Sequence, residues 1–78
     1  MAQPRSPRHA AFGRALLEIR REKGLSQERL ALKAGLDRTY TSGIERGERN
    51  PSLANLLKLA DALDVPLSEL ARRAERLS

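Results

Sequence analysis

No cysteine and no tryptophan occur among the 78 residues, and histidine occurs once, at His9. Without thiols there is no disulfide framework and no thiolate metal site, which fits a reducing compartment. A lone histidine cannot build a histidine metal cluster, so neither a metal nor a cofactor is expected. No apolar run approaches the ~20 residues needed to cross a bilayer, and Met1–His9 lacks the apolar core of a secretory signal. The expectation is a cytoplasmic protein with no membrane partner. Aromatic residues are limited to Phe12 and Tyr40, too few for the stacking platforms that hold single-stranded RNA. There is no nucleophile–histidine pairing, no glycine-rich phosphate loop and no carboxylate pair in an apolar cleft, so nothing supports an enzyme.

What remains is alanine, leucine, arginine and glutamate, the composition of an all-α domain. One domain is expected from the length, and because a domain of this size buries only about 60% of its unfolded surface its stability is marginal. Met1–Arg5 has no apolar period, and residues 1–6 read as a disordered N-terminal tail. The punctuation divides the rest into five helices. Ser6 caps the first, with Pro7 at its opening position, where a missing N–H is harmless. Phe12, Leu16 and Ile19 follow at i, i+4 and i+7, and Gly24 ends the helix. Ser26 caps a second helix that Gly35 stops, with Leu30, Ala31 and Ala34 facing inward. Asp37 caps a third, ended by Gly47. Ser52 opens a fourth over Leu53–Leu63, with Leu53, Leu56, Leu57, Ala60 and Leu63 as its apolar face. Asp64 takes the left-handed turn usually left to glycine, and Pro66 opens a short fifth helix.

Fifteen Lys and Arg against ten Asp and Glu give a net charge of +5. Only Lys23, Lys33 and Lys58 are lysines; the other twelve cations are arginines, whose planar fork suits phosphates and guanine edges. Such a balance favours a polyanionic partner. Arg72, Arg73 and Arg76 in the fifth helix read as a solvated face rather than a second nucleic-acid site.

The second and third helices are joined by Gly35-Leu36-Asp37, the layout of a helix-turn-helix at 26–46. Ala31 sits where the helices cross, Leu36 plugs the turn and Ile44 anchors the third helix. The outward face of the segment 38–46 carries Arg38, Thr39, Ser42 and Gly43. That pattern suits a recognition helix whose N-terminal half meets base edges in the major groove. Gly43 costs about 1 kcal/mol against alanine inside a helix. Either a buried contact or a close approach of DNA accounts for it, and the polar neighbours favour DNA.

The run Gly24-Leu25-Ser26-Gln27, Leu30-Ala31, Ala34-Gly35-Leu36, Ile44-Glu45-Arg46-Gly47 and Pro51-Ser52 resembles the lambda-repressor-like (XRE-like) helix-turn-helix regulators. The resemblance extends from about Phe12 to Leu70. Within that family, Leu36 to Gly47 with Arg49-Asn50 is most similar to restriction–modification controller proteins, dimeric switches that bind paired operator half-sites. The resemblance implies a five-helix DNA-binding domain over residues 7–76 that regulates transcription as a homodimer on double-stranded DNA. It implies that Gln27 bonds a phosphate and that Arg38, Thr39 and Ser42 face bases. Tyr40 would touch the DNA backbone, and Arg49 and Asn50 the sugar-phosphate chain or a groove edge. Arg20 would pair with Glu45 to tie the third helix to the scaffold. Thr41 departs from the family, which places isoleucine or valine there; its hydroxyl can bond back to the preceding turn.

The surplus leucines Leu59, Leu67, Leu70 and Leu77 are the candidates for the dimer surface. RNA polymerase and a toxin are further partner candidates. The alternative to a dedicated regulator is an antitoxin-type protein-binding module that binds DNA for autoregulation.

Overall fold

The computed structural model describes residues 7–78. The expected 1–6 tail and the Ser6 cap lie outside the described residues. Five helices follow in order: α1 (Pro7–Glu22), α2 (Gln27–Ala34), α3 (Arg38–Glu45), α4 (Leu53–Leu63) and α5 (Leu67–Leu77). There is no strand among the described residues, so the fold is all-α, as expected.

The starts of α2, α3 and α4 are each set by a side chain. Ser26, Asp37 and Ser52 accept the backbone N–H of Arg29, Tyr40 and Asn55 at 3.0, 3.1 and 3.1 Å, which satisfies donors that a helix leaves unpaired. The ends follow the expected punctuation. Gly35 turns left-handed at φ 71° after α2, and Asp64 does so at φ 58° after α4. Thr41 is fully buried, and its hydroxyl donates to the Asp37 carbonyl at 3.0 Å. A polar residue therefore fills an inward position without an orphaned group.

The core joins Leu16 and Ile19 of α1, Leu30 of α2 and Ile44 of α3 to Leu59 and Leu63 of α4 and Leu70 of α5. Two features of this core differ from the sequence expectation. Leu59 and Leu70 are wholly enclosed within the single chain, so they cannot form a dimer surface. Conversely, Leu53 and Leu57 are 64% and 45% exposed. Helix α4 offers two overlapping apolar stripes that share Leu56, Ala60 and Leu63. Contacts with both α2 and α5 settle its rotation so that Leu59 turns inward and Leu53 and Leu57 turn out. Of the remaining dimer candidates, Leu67 packs partly on the core and Leu77 is exposed.

Helix α1 meets α3 through Gly13. A Cβ there would stand 2.3 Å from the Ile44 carbonyl oxygen and 2.5 Å from that of Glu45, so only glycine lets the two backbones come this close.

On the other side of α1, α5 is held by ion pairs. Arg73 reaches Glu22 at 2.7 Å, Glu18 at 3.2 Å and Glu69 at 3.6 Å. The hydrogen bond from Arg73 draws the Glu22 carboxyl below its ordinary pKa of 4.5, and the Glu22 and Glu18 carboxylates push the Arg73 guanidinium up. Because the folded value is depressed, the contribution of Glu22 is complete above the ordinary carboxylate range and fades as the pH falls through the lowered value. Glu22→Gln should therefore melt earlier near neutrality. Its thermal midpoint should also fall less steeply than wild type between about pH 5 and pH 3. Parallel curves in a circular-dichroism melting series would remove Glu22 from the acid response.

Candidate nucleic-acid interface

Helix α3 has one face locked and one face free. Thr41, Ile44 and Glu45 are buried, whereas Arg38 and Thr39 are exposed and Ser42 is half-buried. Arg38, Thr39, Ser42, Arg46 and Gln27 line one shallow polar cleft. The expected base-facing side chains are thus brought together, with the first residue of α2 beside them.

The locked face is held by a buried charge cluster. Arg20 Nε donates to Glu45 Oε2 at 2.6 Å and Arg20 Nη2 to Oε1 at 3.1 Å, a two-pronged pair with side chains 9% and 1% exposed. The third guanidinium nitrogen, Arg20 Nη1, donates to the Leu25 carbonyl at 2.8 Å. The expected Arg20–Glu45 pair is present, and it is buried. Glu45 also accepts from Gln27 Nε2 at 2.8 Å. Gln27 is therefore committed inward by one amide N–H, and its second N–H is the one left for an outside acceptor. This network fastens the start of α2 and the end of α3 to α1, which fixes the angle between the two helices.

Two candidate residues take up different surroundings from those expected. Tyr40 is half-buried against the core, and its hydroxyl accepts Asn55 Nδ2 at 3.0 Å, so it joins α3 to α4. Gly43 is buried, and an added Cβ would lie 2.7 Å from Arg49 Cγ. The close approach that favours glycine there is made by the stem of Arg49, not left open for DNA. Folding back in this way places Arg49 in the loop after α3 as an exposed cation beside the exposed Asn50.

A helix-turn-helix family model, HTH_3, matches residues 16–70. The chain belongs to this helix-turn-helix family. It is a DNA-binding transcriptional regulator of the XRE type and not an enzyme. Among relatives of this helix-turn-helix chain, the control protein C.MunI of Mycoplasma sp is 50% identical over 66 residues, covering 83% of this chain and 89% of that one. The restriction-modification controller protein C.AhdI from Aeromonas hydrophila superposes with TM-score 0.78 at 59% identity, over 78% of this chain and 92% of that one. The controller C.Esp1396I superposes with TM-score 0.85 at 36% identity, over 92% and 95% of the two chains.

Arg46 was absent from the expected interface of this helix-turn-helix. It caps the end of α3, donates to Ser42 Oγ through Nη1, and reaches Glu48 at 3.1 Å. The signal for it was helical spacing: Thr39, Ser42 and Arg46 fall at i, i+3 and i+7 and so share a face.

Proposed function

We propose that residues 7–76 form a DNA-binding domain with its helix-turn-helix at 26–46 and its recognition helix at 38–46, and that it acts in the cytoplasm as a homodimer on paired half-sites. The observation that carries this reading is the division of α3. Its buried face is fastened by Ile44, Thr41 and the Arg20–Glu45 pair, so exposed Arg38 and Thr39 are presented by a rigid support. Arg38 grips guanine O6 and N7, Thr39 offers a hydroxyl and a methyl, and Ser42 keeps an O–H to donate while it accepts from Arg46. The free amide N–H of Gln27, the hydroxyl proton of Tyr40, and Arg49 with Asn50 reach the sugar-phosphate chain. These contacts set the docking position while the base contacts select sequence.

One such domain makes few base contacts, which favours two-fold pairing with recognition helices about 34 Å apart. The exposed Leu53 and Leu57, one turn apart on α4, replace Leu59 and Leu70 as dimer-surface candidates, together with Leu67 and Leu77. The identities to C.MunI and C.AhdI favour a restriction–modification controller as the biological role.

Selection of bound duplexes from a random pool tests the reading. Wild type should return two inverted half-sites about one helical turn apart. Arg38→Ala should lose about 1–3 kcal/mol and relax preference at one base pair per half-site. Unchanged selectivity in Arg38→Ala would remove α3 as the reading element, and a single unpaired site would remove the dimer.

A further inference from the structure

Helix α1 carries a second charged surface that none of the residues assigned to base or phosphate contact above belongs to. Ala10, Arg14, Leu17 and Arg21 line a groove between α1 and the end of α3, closed on the far side by Glu45 and Arg46. Arg46 also lines the cleft that holds Gln27, Arg38, Thr39 and Ser42, so the two concavities meet at its side chain. Arg14 and Arg21 are exposed and make no ion pair among the described residues. The carboxylates bordering the groove are engaged elsewhere, Glu18 by Arg73 and Glu45 by Arg20. The groove's charge is therefore a surplus of uncompensated guanidinium. Two of the three cations of α5 contrast with it, because Arg72 and Arg73 are paired with glutamates.

We propose that Arg14 and Arg21 hold the phosphate backbone of the same duplex that α3 reads, extending the interface past Arg46 along α1. The proposal rests on the DNA-reading assignment of α3. The two arginines stand seven positions apart, about 10 Å along the helix axis, so each reaches its own phosphate rather than sharing one. Exposed guanidinium groups without internal partners have no ion pair to break on binding, and each phosphate they neutralise releases counterions. These contacts are blind to sequence. They raise affinity for every duplex alike and steer encounter towards the face that carries α3.

The experiment measures duplex affinity against salt for wild type, the double variant Arg14→Gln/Arg21→Gln, and a control with equal charge loss on α5, Arg72→Gln/Arg76→Gln. The groove variant should lower the slope of log K against log salt by about 2. The ratio of specific to scrambled-duplex affinity and the melting midpoint should stay at wild-type values, and the control should lower the slope by less than half as much. A groove variant with the wild-type slope would overturn the proposal, as would a control that lowers it equally, since net charge alone would then account for the effect. Failure of wild type to bind any duplex would instead sink the assignment of α3 itself.

Discussion

Arg20→Met should destabilise the domain by about 3–5 kcal/mol. Methionine keeps most of the stem volume but leaves the Glu45 carboxylate, 1% exposed, without its cationic partner. Gln27 can supply only one N–H to that carboxylate, and a neutral donor cannot replace two charge-assisted bonds. In a domain of this size each kcal/mol lowers the melting midpoint by about 4–8 °C, so the variant should melt at least about 12 °C below wild type. Removing both charges, as Arg20→Met/Glu45→Leu, should restore most of that stability, because an apolar pair of similar volume leaves no buried ion. The double variant should nevertheless bind DNA less selectively, since Gln27 loses its acceptor and α3 loses its fastening. A single variant that melts within a few degrees of wild type would mean that the pair is not buried in solution.

Gly13→Ala should cost about 3 kcal/mol, although on an exposed helix the same change stabilises by about 1 kcal/mol. The sign reverses because the new methyl group would meet the carbonyl oxygens of Ile44 and Glu45 at 2.3 and 2.5 Å. Backbone oxygens at the end of α3 cannot swing aside as a flexible side chain would, so α1 and α3 must separate. Separation pulls Glu45 away from Arg20, and base selectivity should fall along with the melting midpoint. Thermal denaturation of the variant decides the matter, and a midpoint at or above wild type would show that the helices are not in backbone contact.

Much of the architecture was legible because local chemistry and tertiary packing agree. Ser26, Asp37 and Ser52 mark helix starts by what their oxygens can accept, and Gly35 and Asp64 mark turns by the backbone they tolerate. Thr41 was legible as a threonine at a position that the family fills with isoleucine or valine, because its hydroxyl can bond back to the preceding turn. The rotation of α4 was not legible. Leucines at 53, 56, 57, 59 and 63 satisfy two stripes equally, and only the positions of α2 and α5 choose between them. Gly13 and Gly43 were illegible for a related reason. A missing side chain does not say which neighbour occupies its space, and in both cases the neighbour comes from another part of the chain. Arg46 needed no tertiary knowledge, only helical spacing carried one turn further. Tyr40 did need it, because Asn55, fifteen residues away, holds its hydroxyl.

The Arg20–Glu45 clasp is sealed from solvent, whereas Arg38 and Arg49, the cations proposed to meet DNA, are bathed in it. Dissolved ions weaken attraction between wet charges and barely reach dry ones. On the proposed reading, a shift in cellular ionic strength would therefore change how much of the operator is occupied while leaving the pose of the reading helix as it was. Such a regulator keeps its choice of target when its grip loosens, so ionic stress dims its signal without redirecting it.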